Sequence, residues 1–115
     1  MTHIKDVQMP TTREEADANR QHVAELMVAA GPNHFDMDGW CEETECGTTY
    51  CIAGWGAVAM GLGRSKLEWG LAAWTSESVA RWLGLNDKLL FYDDIHTPED
   101  AALALKQYPY RGGLT

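Results

Sequence analysis

The chain has 115 residues, of which 45% are hydrophobic and 23% are charged, and its formal net charge is −8. These values are typical of one folded domain and exclude wholesale disorder, and no stretch approaches the roughly 18 uninterrupted apolar residues of a membrane span. The acidic balance also argues against direct binding to nucleic acid, because an acidic surface repels a phosphate backbone.

The first predicted element is a helix that begins after Thr12 and follows a flexible arm over residues 1–10. Thr12 and Glu15 have the spacing of a capping box, in which the hydroxyl accepts the third amide and the glutamate reaches back to the cap. Gly31 and Pro32 are expected to end this helix. One helical face carries the apolar residues Ala16, Val23, Leu26, Met27 and Ala30.

Residues 33–49 show no sustained hydrophobic period and are rich in Asp, Gly and Thr, which predicts a long irregular loop. Thr48 or Thr49 is expected to cap a buried central helix, Tyr50–Met60. Its interior glycines, Gly54 and Gly56, each cost about 1 kcal/mol relative to alanine. We therefore expect them to allow the close approach of a neighbouring helix.

The second half of the chain contains several shorter helical segments. Residues 64–74 are compatible with either a short helix or a loop. Ser76 is expected to cap a helix that Gly84 closes, and Asn86 is expected to cap a short turn over residues 87–92.

The last predicted helix has a strong start signal. Thr97 can cap it, Pro98 occupies its first position, and two acidic residues follow at the positive end of the helix dipole. Pro109 ends the helix, and the tail over residues 110–115 is expected to fray.

These elements predict an all-α fold, a compact single-domain bundle of about five helices with one long irregular loop, over residues 1–115. The polar N-terminal segment lacks the apolar core of a signal peptide. Three cysteines are an odd number and cannot form a closed disulfide framework. The sequence therefore predicts a cytoplasmic protein.

A zinc site is one interpretation of the cysteines. Cys41, Cys46 and Cys51 are spaced C-x4-C-x4-C, and His34 lies seven residues upstream, so that four ligands fall within eighteen positions. Zinc knuckles, however, pair their cysteines as C-x2-C, and Cys51 would lie on a helix. The spacing therefore favours reduced, buried cysteines and no bound cofactor.

A cysteine nucleophile is a second interpretation. Cys51 lies near the predicted start of a helix, where the dipole stabilises a thiolate, and His34 or His96 could act as the base. The segment around Cys51 resembles the nucleophile helix of papain-like cysteine peptidases. The chain is too short and too poor in strands for the second half of that fold, so no complete catalytic set is expected.

The uneven distribution of charge leads to the main functional hypothesis. Residues 1–63 contain ten acidic and three basic side chains, and no Lys or Arg lies between Arg20 and Arg64. Acids in that interval are Glu25, Asp36, Asp38, Glu42, Glu43 and Glu45. This pattern predicts a non-catalytic interaction protein that binds a basic protein surface, including one that normally holds nucleic acid. The alternative is that the charge only keeps the domain soluble.

The five tryptophans are a further signal. Trp55 and Trp82 fall on helical core faces and are expected to pack. Trp69 and Trp74 lie among small residues, and because tryptophan is enriched at binding hot spots, they are candidate anchors for a partner or for a homodimer. Packing against the core is the alternative for both.

The block FDM-x2-W, followed by CGT-x2-CIAGW, resembles short uncharacterised proteins found in bacteria and their phages. The later matches are Leu83–Leu85, Leu90–Tyr92 and the helix start at Thr97–Ala102. This resemblance implies a small helical protein encoded by a phage or mobile element, and it implies no particular activity. Cys41 is not part of the pattern, which weighs against a three-cysteine metal site.

Overall fold

The computed structural model describes residues 2–35, 41–44, 47–85, 95–112 and 114. The predicted all-α class is confirmed, since the described part is mostly helical and contains five α-helices and one β-hairpin. The elements are α1 (Arg13–Ala30), β1 (Cys41–Thr44), β2 (Gly47–Tyr50), α2 (Ile52–Ala59), α3 (Lys66–Ala72), α4 (Ser76–Trp82) and α5 (Pro98–Gln107). Among the described helices, none combines the length and the apolar character needed to cross a membrane.

The boundaries of α1 follow the local signals that predicted them. The hydroxyl of Thr12 accepts a hydrogen bond from the amide of Glu15 at 3.2 Å. The Glu15 carboxylate binds the amide and hydroxyl of Thr11 rather than the amide of Thr12, so the capping box is shifted by one residue. At the other end, Gly31 adopts a positive φ of 86° and donates its amide to the carbonyl of Met27.

The segment predicted to be an irregular loop contains an antiparallel hairpin instead. Cys41 pairs with Tyr50 and Thr44 pairs with Gly47. Thr48 lies inside β2 and therefore does not cap the next helix, which has Cys51 at its N-cap and begins at Ile52. Threonine and tyrosine favour strands, but strands of four residues are too short to show a clear alternation.

The uncertain segment 64–74 contains a helix, α3. Ser65 caps it by accepting the amide of Glu68 at 3.2 Å, and its hydroxyl donates to the Glu68 carboxylate at 3.1 Å. Helix α4 is capped by Thr75 and not by Ser76, because Thr75 and Ser78 form a reciprocal capping box. The turn expected to follow Asn86 lies outside the described residues.

Helix α2 is the central, buried helix that the sequence predicted. Helix α1 packs against α2 and α5, and α2 packs against α4. A Cβ atom placed on Gly56 would lie 2.5 Å from Cγ1 of Val79, so the predicted close approach is confirmed at Gly56. Gly54 is also buried. Gly56 thus brings the backbone of this helix against α4.

A buried arginine joins α1 to the C-terminal ends of α4 and α5. The side chain of Arg20 is only 2% exposed. Its guanidinium donates to the backbone oxygens of Leu83 (2.6 Å), Gly84 (3.0 Å), Leu105 (2.9 Å), Tyr108 (2.6 Å) and Pro109 (3.4 Å). Carbonyls at a helix C-terminus lack intrahelical donors and carry partial negative charge. Arg20 therefore supplies both the missing donors and the compensating charge.

Tyr110 covers this arginine from the tail. Its ring centroid lies 4.2 Å from the Arg20 guanidinium carbon, and its hydroxyl donates to Asp17 at 2.8 Å. The amide of Arg111 donates to the carbonyl of Gly84 at 2.8 Å. Residues 110 and 111 were expected to fray, and they instead make defined contacts with α1 and with the end of α4.

These contacts also shift two pKa values. Burial lowers the pKa of Arg20, although the nearby Tyr110 and Asp17 act in the opposite direction. The pKa of Tyr110 is raised above its usual 10.0. The largest cause is desolvation by burial, and the hydrogen bond to Asp17 and the charge of Asp17 add to it. Tyr110 therefore keeps its proton, and its bond to Asp17, throughout the neutral range.

We predict that Arg20→Met lowers the free energy of unfolding by at least about 3 kcal/mol, because it leaves buried carbonyls without donors. Arg20→Lys should also be strongly destabilising, since one ammonium group cannot reproduce the fork of the guanidinium. Urea denaturation followed by circular dichroism measures both.

Arg13→Met is the matched control: Arg13 also contacts the Tyr110 ring, at 5.5 Å, but it is exposed. Its loss should cost no more than about 1 kcal/mol. Equal losses at the two positions would contradict the assignment of Arg20.

We predict that Gly56→Ala is destabilising by about 1 kcal/mol. The gain of about 1 kcal/mol in helix propensity is outweighed by overpacking against Val79, which typically costs about 1–3 kcal/mol. Gly70→Ala is the control, because Gly70 lies in α3 with nothing within 4 Å of its Cβ position, and this change should be stabilising. Adding Val79→Ala to Gly56→Ala should cost less than the sum of the single changes, as measured by thermal unfolding. Strict additivity would show that the two positions do not meet.

Candidate interaction surface

The acidic run comprises residues 14–63, which contain nine acidic residues. Four of them, Glu14, Glu15, Asp17 and Glu25, lie exposed on α1. Two more, Glu42 and Glu43, lie in β1, where they pair with Thr49 and Thr48 of β2. The remaining candidates, Asp36, Asp38 and Glu45, lie outside the described residues. The fold therefore divides the acidic run between one long helix and a hairpin.

The burial of Arg20 lengthens the stretch that presents no basic group. The sequence has a gap without Lys or Arg from Arg20 to Arg64, but Arg20 is 2% exposed and its donors are engaged by carbonyls. No exposed Lys or Arg therefore lies between Arg13 and Arg64.

The burial of Arg20 was not predicted from the sequence, although the sequence contained a signal for it. Arg20 lies on the same buried face of α1 as Ala16, Val23 and Met27.

A groove of about 750 Å³ runs between α1 and α5, and we call it the α1–α5 groove. Its apolar lining includes Val28, which is 44% exposed, and Leu103, which is 53% exposed. Asp17 and Glu25 contribute carboxylates from α1, and Lys106 contributes an ammonium from α5. The volume is within the range of about 300–1,000 Å³ that is typical of ligand sites. The sequence did not predict this groove, because it depends on how the two helices pack.

The two candidate anchor tryptophans are part of the core. Trp69 is 7% exposed and Trp74 is 9% exposed. Their rings meet edge to face, with centroids 5.0 Å apart and planes at 87°. The indole N–H of Trp69 donates to the carbonyl of Gly63 at 2.8 Å. The structure thus favours packing, the alternative given for both residues, over a role as exposed anchors.

The proposed thiol nucleophile is not accessible. Cys51 is completely buried at the N-cap of α2, whereas His96 is exposed. His34 is half-buried, and its backbone carbonyl accepts the indole N–H of Trp55 at 3.1 Å. A reactive cysteine needs access as well as a thiolate. The burial of Cys51 therefore argues against the enzymatic interpretation.

The structure describes the side chains of two of the four proposed zinc ligands, His34 and Cys51. Among the described residues, no group of three His, Cys, Asp or Glu residues is placed to hold a metal ion. Cys41 lies in β1, and Cys46 falls outside the described residues. The only ligand candidate whose side chain is buried in the described core is Cys51.

Comparison with known proteins does not add to this description. No protein-family model matches the chain, and searches of curated proteins and of solved structures find no similar protein. The proposal of an interaction protein therefore depends on the charge and the burial of this chain's own residues.

We predict that Cys51 reacts slowly with iodoacetamide in the native protein, because its side chain is completely buried. Mass spectrometric mapping of alkylated peptides at mildly acid pH measures the rate at each cysteine. In urea all three thiols should react at similar rates, which controls for intrinsic reactivity. Metal analysis of the same sample should find no stoichiometric zinc. Rapid labelling of Cys51 in the native protein would contradict this prediction and support the enzymatic hypothesis. One equivalent of bound metal would support the zinc site.

Proposed function

We propose that this protein is a small, acidic, non-catalytic interaction factor that binds a basic surface of a partner protein. The observation that carries the proposal is the absence of any exposed Lys or Arg between Arg13 and Arg64. Nine acidic residues occupy that interval, and the one arginine within it is buried. Along this stretch of sequence the charged groups other than Arg20 are carboxylates, and the Lys106 ammonium of α5 lies beside two of them, Asp17 and Glu25, in the α1–α5 groove.

The physical consequence is electrostatic steering. A continuous field of one sign raises the rate of encounter with a surface of the opposite sign, and it suppresses binding to acidic surfaces. At physiological salt the Debye length is about 8 Å, so the effect depends on ionic strength. A basic protein surface that normally holds DNA or RNA has the required charge. The protein would then act as an inhibitor or accessory factor, without contacting nucleic acid itself.

The biological setting is part of the same proposal. The resemblance to short phage and bacterial proteins supports a factor encoded by a phage or mobile element, which acts on a protein of its host. An odd number of cysteines supports the cytoplasm as the compartment, since it leaves no closed set of disulfides.

The test combines capture with charge reversal. The wild-type protein is immobilised, proteins bound from a bacterial lysate are identified, and the purified partner is measured against each variant by surface plasmon resonance. Glu42→Lys, Glu43→Lys and Glu45→Lys together should reduce the association rate at least about tenfold. Raising the salt should slow association of the wild type and have less effect on the triple variant.

The control variant makes the same change of net charge elsewhere. Asp6, Glu77 and Glu99 are exposed acids outside the acidic run, and their replacement by lysine should leave the association rate nearly unchanged. If both triple variants lose binding equally, net charge and not the acidic run is responsible. A partner affinity that is indifferent to the reversal and to salt would refute the proposed function.

A further inference from the structure

The chain ends in a short segment that lies on the outside of the packed helices. We call residues 109–112 and 114 the C-terminal segment. Pro109, Arg111 and Gly112 are exposed, and Tyr110 and Leu114 are half-buried. None of these five residues belongs to the buried core. The segment is therefore attached to the surface and does not form part of the packed interior.

The segment lies on a small polar site formed by Asp17, Arg20 and Gly84, which we call the Arg20–Asp17 site. The ring of Tyr110 lies 4.2 Å from the guanidinium carbon of Arg20, and its hydroxyl donates to Oδ1 of Asp17 at 2.8 Å. The amide of Arg111 donates to the carbonyl of Gly84 at 2.8 Å. The site thus offers a cation that attracts an aromatic face, an acceptor for a phenol and an acceptor for a peptide amide.

Gly84 leaves the space that the segment fills. A Cβ atom at Gly84 would lie 2.9 Å from Cδ1 of Leu114 and 3.6 Å from Cδ1 of Tyr110. It would also lie 2.5 Å from the Cβ of Ala16. The φ of Gly84 is 68°, a conformation that glycine adopts without strain. The site therefore selects by shape as well as by polar groups, because it accepts an aromatic ring and an apolar side chain four positions later.

The site keeps its geometry without the C-terminal segment. Arg20 donates to the backbone oxygens of four residues outside the segment, at 2.6–3.0 Å: Leu83, Gly84, Leu105 and Tyr108. Its one bond to the segment, to the oxygen of Pro109, is the longest at 3.4 Å. The guanidinium therefore stays in place when the segment leaves, and a site that is already ordered binds a peptide at a lower entropic cost.

We propose that the Arg20–Asp17 site is a peptide-binding site, which the C-terminal segment occupies within the same chain and from which an extended segment of a partner protein displaces it. The contacts of the C-terminal segment define the partner's chemistry. It has a tyrosine, whose hydroxyl reaches Asp17, followed by a residue other than proline, whose amide reaches Gly84. An apolar side chain four positions after the tyrosine takes the place of Leu114. The C-terminal segment is then autoinhibitory. This inference goes beyond the proposed function and does not depend on it.

A segment of another protein is a better occupant than the tail of a second copy. Exchange of tails between two copies replaces each contact by an identical one, while association costs translational and rotational freedom. The segment within the same chain competes at an effective concentration of about millimolar, which lowers the apparent affinity of any free peptide. A partner that also contacts a second part of the surface offsets this competition.

The first measurement is amide hydrogen exchange of the wild type, followed by nuclear magnetic resonance. A segment that leaves while the helices stay folded opens more often than the core does. The amide of Arg111, which is bonded to Gly84, should therefore exchange at least about tenfold faster than the amide of Val23 in the buried face of α1. Equal rates would show that the segment opens only when the whole protein unfolds, and they would overturn the proposal.

The second measurement is fluorescence anisotropy with a labelled peptide, YPYRGGLT, which has the sequence of residues 108–115. Tyr110→Ala in the full chain removes the competing ring and hydroxyl, so it should bind the peptide at least about tenfold more tightly than the wild type, with a dissociation constant below about 1 mM. Tyr110→Phe loses only the hydroxyl and should bind with intermediate affinity. Gln107→Ala is the control, because Gln107 is exposed and precedes the segment, and it should match the wild type. Circular dichroism confirms that every variant is folded.

The deciding experiment pairs a change in the site with a change in the peptide. In the Tyr110→Ala protein, Asp17→Ala should weaken binding of YPYRGGLT at least about fivefold, because the phenol loses its charged acceptor. The same change should have much less effect on YPFRGGLT, which lacks the hydroxyl. The peptide YPARGGLT has the same charge but no ring, and it should bind at least about tenfold more weakly than YPYRGGLT.

Three outcomes would overturn the proposal. The first is no binding of YPYRGGLT to Tyr110→Ala or to Tyr110→Phe up to about 1 mM peptide. The second is an equal effect of Asp17→Ala on YPYRGGLT and YPFRGGLT, because the hydroxyl would then not reach Asp17. The third is a dimer in an equimolar mixture of the wild type and Tyr110→Ala, detected by sedimentation equilibrium, because a second copy would then supply the segment.

Discussion

The packing of α1, α4 and α5 depends on one buried charge. Arg20 projects from α1 and donates to five backbone oxygens at the ends of the other two helices. Burying an ion costs several kcal/mol unless its donors are satisfied, and here carbonyls that have no intrahelical donors satisfy them. The geometry is directional, because the N–H groups of a planar guanidinium point in fixed directions and can reach only a limited set of carbonyl positions. Arg20 therefore specifies where α4 and α5 end relative to α1.

The same arginine links the fold to the charge of the surface. An arginine at this position would normally be counted among the basic groups available to a partner. Its burial removes those donors from the surface and leaves exposed carboxylates along α1, while Tyr110 and Asp17 cover it from the side of the tail. A structural requirement at the helix ends has therefore removed one basic group from the exposed surface of α1.

The central helix packs in a core that leaves some apolar side chains at the surface. Gly56 brings α2 so close to α4 that Val79 occupies the place of a Cβ atom, and Trp69 of α3 and Trp82 of α4 belong to the same buried core. With Trp69 turned inward, the helical period places Leu67 and Leu71 outward on α3. On the other side of the molecule, α1 and α5 leave Val28 and Leu103 at the edges of a groove. Apolar side chains thus remain exposed at two separate places around one core.

The sequence by itself determined the features that depend on neighbouring residues. Thr12, Gly31, Thr97 and Pro98 set helix ends through bonds and backbone preferences within a few positions, and the helical class follows from such signals. The hairpin was missed because its strands have four residues each, too few to reveal a period. Only the tertiary structure decided that Arg20 is buried, that Trp69 faces inward and that α1 and α5 leave a groove. The partners of Arg20 are 63 to 89 positions away, and no local pattern encodes a contact at that distance.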